Sequence, residues 1–305
     1  MKCSVCIPTY NAEPYIGRLF SSLMKQTIPC EVSVTDSSSV DNTIKIAESY
    51  GAKTLVINKK DFDHGGTRNL AASSTSGDIL IFLTQDIDFA NKYALENLIR
   101  PFHNDKKVAA IFGRQLPNAD ASASSAHLRL FNYPDTSYVR SLDDRSVYGI
   151  KTVFFSDSFS AYRRSALEEI GWFKKGLIFG EDTHAIAKLL VAGYKVAYAA
   201  DAAVYHSHNY TAVEEFKRYF DIGVLHISEN WILKEFGQTK GEGIKYIRSE
   251  ALYLIKHKRY DLVPAFVLRN ALKYLGYHLG LKYSHVPKSL ACRMSMNKNW
   301  WENRH

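Results

Sequence analysis

The apolar run Ile79–Leu83 stops abruptly at Thr84-Gln85-Asp86-Ile87-Asp88. If the chain stays extended there, the carboxylates of Asp86 and Asp88, at i and i+2, project to the same side. Mg2+ and Mn2+ are hard cations that take oxygen ligands, typically one or two carboxylates together with substrate phosphate. An Asp-x-Asp at the carboxyl end of a strand therefore suits a metal–diphosphate site, although a solvated turn would use the same residues. Asp36 ends a second strand-like segment, residues 32–35, and offers an acceptor to a pyrimidine N–H or a ribose hydroxyl. An Asx-turn within Asp36-Ser37-Ser38-Ser39 is the alternative. Ile7-Pro8-Thr9-Tyr10-Asn11 closes the first apolar run and can wall a nucleotide site.

His64-Gly65-Gly66-Thr67-Arg68-Asn69 sets two glycines ahead of a helical pattern. Glycine lets a backbone come close to a ligand, helix N-terminal N–H groups favour anions, and Arg68 adds a fixed cation suited to phosphate. The segment is neither the dinucleotide-binding G-x-G-x-x-G nor a Walker loop, and Gly-Gly turns are common. Gly180-Glu181-Asp182-Thr183 precedes an apolar periodic stretch containing Ile186, Leu189 and Leu190. There Asp182 or Glu181 is either a cap and dipole partner for a helix, or a general base. A base would take the proton of an acceptor hydroxyl as its oxygen attacks an anomeric carbon, while a metal and an arginine take up charge on a leaving diphosphate. Tyr205-His206-Ser207-His208-Asn209-Tyr210 brings two imidazoles. One of them can complete a metal shell or touch phosphate; a histidine near a turn ordinarily does neither.

The elements that must hold these groups follow from the apolar spacing. Residues 5–8, 32–35, 54–57, 79–83 and 108–112 read as strands. Residues 16–25, 42–50, 67–74 and 91–102 read as helices, the first with Leu19, Phe20 and Leu23 on one side and the second capped by Asp41 or the serines before it. Strands separated by helical patterns imply βαβ units and a mostly parallel sheet. Ligands of such sheets bind at the carboxyl ends of strands, where Tyr10, Asp36 and Asp86 stand. Residues 114–210 are less regular, with a Ser/Ala-rich stretch at 119–126, Asp143-Asp144, and short strands near 153–155, 196–198 and 202–204. From Thr211 the pattern is helical to about His278, punctuated at 237–243 and 259–264. The expected organisation is an α/β body over 1–233 and a basic amphipathic helical region over 234–305.

Composition excludes several classes. The chain has 305 residues, 46% hydrophobic and 23% charged, which is ordinary for a folded protein with a large core. Its net charge of +8 is uneven: residues 1–233 hold 25 basic and 26 acidic side chains, residues 234–305 hold 14 and 5. A slightly acidic body with a basic, aromatic tail argues against nucleic acid as partner and fits an anionic membrane surface. No run of 18 apolar residues suggests a membrane span, and Met1-Lys2-Cys3-Ser4-Val5 leads into a strand without a secretory segment. Cys3, Cys6, Cys30 and Cys292 are no disulfide framework. Cys3 and Cys6 would face opposite sides of a strand, which disfavours zinc. The expectation is a cytoplasmic protein.

Taken together, the order Ile7-Pro8-Thr9-Tyr10-Asn11, Asp36-Ser37-Ser38-Ser39, His64-Gly65-Gly66-Thr67-Arg68-Asn69, Thr84-Gln85-Asp86, Gly180-Glu181-Asp182 and His206-Ser207-His208-Asn209-Tyr210 resembles the family 2 glycosyltransferases. More narrowly, it resembles the bacterial rhamnosyltransferases of O-antigen and polysaccharide synthesis. The resemblance spans about residues 3–225, with a similar-looking Leu272-Lys273-Tyr274-Leu275-Gly276-Tyr277 beyond. It implies a GT-A fold, that is, a Rossmann-like, mostly parallel sheet flanked by helices, with a C-terminal helical region. It further implies that Pro8, Tyr10, Asp36, Arg68, Gln85 and Asp86 bind the nucleotide sugar, that Asp86, Asp88 and His206 hold Mg2+ or Mn2+, and that Asp182 is the catalytic base. Arg218 and Asp221 stand where processive members carry Gln-x-x-Arg-Trp; its absence implies one sugar added per acceptor. The donor implied is dTDP-β-L-rhamnose, transferred with inversion to a polyprenyl-diphosphate-linked saccharide at the inner face of the cell membrane. The basic tail ending in Trp300-Trp301 would then touch the membrane surface. A UDP-hexose donor, a nucleic-acid-binding protein and a non-catalytic assembly scaffold are the competing readings.

Overall fold

The computed structural model describes residues 1–237 and 241–303. They form two compact units. The first comprises Met1–Leu116, Tyr133–Lys175 and Glu181–His206; the second comprises Pro117–Asn132, Gly176–Gly180 and Ser207–His305. The units thus part at 206/207, where the sequence pattern suggested 233, and the second draws in two short segments from the middle of the chain.

The first unit is built on one sheet of nine strands: β1 (Cys3–Thr9), β2 (Cys30–Asp36), β3 (Lys53–Val56), β4 (Ile79–Leu83), β5 (Asp88–Phe89), β6 (Val108–Leu116), β7 (Tyr138–Arg140), β8 (Phe159–Arg163) and β9 (Lys195–Tyr205). Their order is β3-β2-β1-β4-β8-β6-β9-β5, with β7 also pairing β9. The pairs β1–β2, β1–β4, β2–β3 and β6–β9 are parallel. β8 runs antiparallel between β4 and β6. Every residue of β4 is buried, as a strand covered on both faces requires. On one face Val5, Ile7, Val34, Ile81 and Leu83 meet helix Glu13–Leu23, through Ile16, Leu19, Phe20 and Leu23, and helix Ala94–Asn104. That i, i+3, i+4, i+7 set is the apolar stripe of a helix lying on a sheet. On the other face Phe82, Tyr162 and Phe173 pack edge to face, with ring centroids 5.2–5.7 Å apart.

Three local expectations change. Residues 153–155 are not a strand: 3-10 turn Gly149–Val153 ends there and the strand is β8, further on. The helix expected at 67 begins at His64, because Asp63 caps it by accepting a hydrogen bond from Gly66 N. Gly65 and Gly66 therefore lie in its first turn. Gly65 is needed for packing, since a Cβ there would stand 2.3 Å from the Lys174 carbonyl oxygen. The strand-like pieces at 196–198 and 202–204 are both parts of β9, whose register against β6 shifts at Gly113/Arg114.

The second unit is helical, with Ala123–Asn132, Ala212–Ser228, Asn230–Phe236, Glu242–Lys256, Val263–Leu281, Lys288–Met294 and Lys298–Glu302. Thr211 and Glu214 close a capping box on Ala212–Ser228. This helix crosses Val263–Leu281 at very short range: a Cβ on Gly276 or Gly280 would fall 2.3 or 2.0 Å from the carbonyl oxygens of Phe216 and Phe220. Of the break expected at 237–243, residues 238–240 lie outside the described residues. The break at 259–264 is 3-10 turn Tyr260–Leu262, with Pro264 in the following helix's first turn. The tryptophan pair is not an outward face: Trp301 is only 4% exposed and packs on Phe220 and Tyr283, while Trp300 Nε1 donates to Gly176 O at 2.8 Å.

Candidate active site

The loops after β1 and β2 are stitched into one platform. Asp36, fully buried, accepts from Thr9 Oγ1 (2.8 Å), Ser39 N (2.7 Å) and Ser39 Oγ (2.6 Å). Asn11 N donates to Ser39 Oγ, and Val40 N donates back to Asn11 Oδ1. Asn11 and Ser38 both adopt positive φ, 45° and 61°. Such backbone is uncommon for side-chain-bearing residues and persists where the surroundings over-determine it. Gln85, just past β4, joins the platform by clasping the backbone of Tyr10: Tyr10 N donates to Oε1 (2.8 Å) and Nε2 donates to Tyr10 O (3.2 Å). The exposed Tyr10 ring carries Lys59 Nζ 4.3 Å above its centroid, and Pro8 lies beside Thr35 in the β1–β2 register.

Asp86 and His206 meet as expected for a ligand pair, and Asp88 is elsewhere. The strand ends at Leu83 and the chain turns at Gln85-Asp86, so the extended geometry that would align the two aspartates does not hold. Asp88 lies on β5 opposite Tyr205 and faces Arg18 Nε at 3.6 Å. Asp86 Oδ1 faces His206 Nε2 at 3.5 Å. The other ring nitrogen, Nδ1, is 2.9 Å from Gln115 Oε1, and Gln115 Nε2 donates to Ser156 Oγ. An amide oxygen only accepts, so Nδ1 donates to Gln115, and Nε2 is the ring nitrogen turned toward the carboxylate. With Nε2 deprotonated, it and the Asp86 oxygen are two ligand atoms a cation can use. A ligand histidine held through its other N–H by an amide or carboxylate is the usual metal-site arrangement. A carboxylate oxygen with an imidazole nitrogen fits Mn2+ by ligand chemistry.

Asp182 sits in a second cluster, at the start of helix Glu181–Val191. Its Oδ1 accepts from Thr183 N (2.6 Å), and its Oδ2 lies 3.4 Å from Asp157 N. Asp157 accepts from Ser160 Oγ (2.7 Å) and Tyr162 Oη (2.8 Å). Arg68 is the guanidinium set among these acids: Nη1 is 2.7 Å from Glu181 Oε1 and Nε is 3.5 Å from Asp157 Oδ2. Its partners here are carboxylates, where the sequence pattern suggested phosphate. The guanidinium is buried and committed to two carboxylates, Glu181 and Asp157, that are themselves buried. Burial, together with the charges of Glu181 and Asp157, pushes the Asp182 carboxyl up to about 8 against the opposing pull of Thr183 N–H and Arg68. Burial pushes Asp157 up to about 6.

Asp157 and Gln115 were not among the sequence candidates. Ser156-Asp157-Ser158 precedes β8, and because β8 is antiparallel its amino end lies at the same sheet edge as the carboxyl ends of β4 and β6. Ser158 O accordingly accepts from Thr84 N. The loop joins the two clusters, Ser156 through Gln115 to His206 and Asp157 to Asp182. The only sequence signal was an aspartate between serines after Phe154-Phe155.

A model of the family described as glycosyl transferase family 2 matches residues 4–171. The chain is 45% identical over 303 residues to the O-antigen chain rhamnosyltransferase WbaN of Salmonella anatum, covering 98% of this chain and 96% of that protein. It is also 45% identical over 306 residues to the O-antigen chain rhamnosyltransferase RfbN of Salmonella typhimurium, covering 99% and 97%. Among solved structures, the mannosyltransferase PcManGT from Pyrobaculum calidifontis, in complex with GDP-Man and Mn2+, aligns with a TM-score of 0.61. It is 17% identical and covers 99% of this chain and 88% of that one. S. aureus TarS 1-349 in complex with UDP-GlcNAc aligns with a TM-score of 0.54 at 21% identity, covering 93% and 91%. At these identities the structural likenesses bear on the fold alone.

Proposed function

Because the chain belongs to glycosyl transferase family 2, we propose that this glycosyltransferase moves L-rhamnose from dTDP-β-L-rhamnose, with inversion, to a saccharide carried on a polyprenyl diphosphate. The observation that carries the chemistry is the Asp182 carboxylate, held among Asp157, Glu181 and Arg68 with its pKa raised to about 8. A base is most effective when its pKa lies near the working pH. In the transfer, Asp182 takes the acceptor hydroxyl's proton. The acceptor oxygen forms its bond to the anomeric carbon while the bond from that carbon to the diphosphate oxygen breaks. The rhamnosyl donor is supported by the near-full-length likeness to two rhamnosyltransferases.

Pro8, Tyr10, Asp36 and Gln85 would bind the nucleotide. Asp36 has about four acceptor positions and its three donors leave one for a pyrimidine N–H. Asp86 and His206 would hold Mg2+ or Mn2+, which when bound neutralises charge on the diphosphate. Gln115 fixes the imidazole tautomer that such binding requires. Asp88 would act one step away, through Arg18.

The deciding experiment offers the protein a panel of sugar nucleotides with Mn2+ and a lipid-linked acceptor, and reads acceptor mass. A deoxyhexose increment from the dTDP donor is expected; a hexose increment from a UDP donor would overturn the rhamnosyl reading. In calorimetry, Asp86→Ala should lose the metal-dependent part of dTDP binding.

A further inference from the structure

Helix Val263–Leu281 is amphipathic in the reverse sense. Its charged residues, Arg269 and Lys273, turn into the second unit. Glu215 accepts from Arg269 Nε (3.0 Å) and Nη2 (2.5 Å), and Lys273 Nζ stands 3.5 Å from the same carboxylate. The outward face is Val263, Val267, Leu268, Ala271, Tyr274 and Leu275, one stripe at helical spacing. Tyr274 is 68% exposed, Val267 59% and Leu268 55%. No Lys, Arg, Asp or Glu interrupts it.

Helix Glu242–Lys256 continues the pattern. Ile244, Ile247, Leu252 and Ile255 are exposed on it, interleaved with Lys245, Arg248 and Lys256. The two helices share one buried side: Glu250 accepts from Asn270 Nδ2 (3.1 Å) and from Ser124 Oγ (2.9 Å). Their apolar faces both turn away from it. Exposed apolar surface on this scale marks an interaction site.

Charge decides the occupant. Lys245, Arg248, Lys256, Lys258 and Arg259 are all exposed; Glu242 pairs with Lys245 and Asp261 with Arg259, and Glu250 is buried, so Arg248, Lys256 and Lys258 stand as the excess positive charge of the stretch. A two-fold contact between copies of this chain would bring one patch against itself and cation against cation. Lipid phosphate supplies the missing anions. Among the described residues no helix is long and apolar enough to cross a membrane, so the contact lies on the surface.

We propose that the outward faces of Val263–Leu281 and Glu242–Lys256 dock this enzyme on an anionic lipid bilayer. Val267, Leu268, Tyr274 and Leu275 enter below the headgroups, and Lys245, Arg248 and Lys256 meet lipid phosphate. The purpose of the contact rests on the lipid-carried acceptor proposed above; the contact itself rests on these two faces.

The test co-sediments the full chain with vesicles of phosphatidylcholine alone or mixed with phosphatidylglycerol. Binding to the mixed vesicles is expected, weakened about tenfold by high salt or by Lys245→Glu with Arg248→Glu. Leu268→Glu with Leu275→Glu should weaken it by about tenfold or more, at an unchanged unfolding temperature. Should that variant misfold, Tyr274→Trp serves instead: the emission added by the introduced indole should shift to the blue and be quenched by brominated acyl chains. Absent vesicle binding, wild-type binding by the variant with both leucines replaced, an unshifted emission from the introduced indole, or a dimer in solution that the leucine variant dissolves would each overturn the proposal. Rhamnosyl transfer to a soluble acceptor separates the readings. Transfer without vesicle binding removes the docking surface only, and vesicle binding without transfer from any sugar nucleotide removes the donor and acceptor reading only.

Discussion

Asp182 is held where its charge is costly. Asp157, Glu181 and Asp182 share the guanidinium of Arg68. Water cannot fully solvate them, so the cluster retains a proton that an exposed aspartate would have lost. Activity limited by a deprotonated Asp182 should rise with pH through about 8. Asp157→Asn removes a negative neighbour, lowers the pKa of Asp182 and moves that rise to lower pH. A profile of kcat against pH that stays in place would remove Asp157 from the role of setting the base. Asp182→Asn should abolish turnover with dTDP affinity nearly intact, and should raise the unfolding temperature more at pH 8 than at pH 5, since the amide carries no charge to repel. Arg68→Met leaves buried carboxylates unpaired, a defect of about 3–5 kcal/mol, to be read by urea unfolding. At the other cluster, Gln115→Leu takes away the acceptor that fixes His206 Nδ1–H. Mn2+ affinity should fall about 10- to 100-fold, and titration of the metal alone reads it.

The elements explain which of these groups the sequence could announce. β1, β2 and β4 are parallel and are followed or closed by polar residues, so Tyr10, Asp36 and Asp86 were visible as residues at carboxyl ends. β8 breaks that rule. It enters antiparallel, so its preceding loop, with Asp157, reaches the same edge. No short-range pattern in Phe154-Phe155-Ser156-Asp157 distinguishes that loop from any other. His64-Gly65-Gly66 was readable as a place of close approach, but the partner turned out to be the Lys174 backbone. Glycine records that something is near, and the fold decides what. The same holds for Gly276 and Gly280, which set the crossing of Val263–Leu281 on Ala212–Ser228. Gly280→Ala puts a methyl against the Phe220 carbonyl and should destabilise the second unit by about 1–3 kcal/mol. Gly243→Ala, with open space around its Cβ position, is the control. Equal unfolding midpoints in urea for the two variants would contradict so close a crossing.

Across the whole molecule, acids with raised and lowered pKa values compete to set the pH of greatest stability. Glu31 accepts from Ser4 Oγ, Ser76 N and Ser76 Oγ, which holds it down at about 2. Its contribution is present above the unfolded value near 4.5 and is lost as pH falls from there toward 2. Asp157, Asp182 and Asp221 act in the opposite direction. Burial raises them to about 6, 8 and 6, so the folded state keeps protons that the unfolded chain releases near 3.8. Stability therefore falls as pH rises from about 4 to 8, where the folded state binds more protons than the unfolded. The two trends place the maximum near about pH 4, well below the rise in activity, so the enzyme should work at a pH where it is not at its most stable. Thermal unfolding at pH 5, 7 and 9 is expected to show a descending series. Asp221 belongs to the second unit, where it accepts from Met296 N and Asn297 Nδ2. An amide oxygen can still accept both bonds, so Asp221→Asn should flatten that series between pH 5 and 7 without changing transfer. Asp182→Asn should flatten it and abolish transfer. An unfolding temperature that climbs steadily to pH 8 in the wild type would mean that the buried acids are ionised at little cost, and the raised pKa assigned to Asp182 would fall with it.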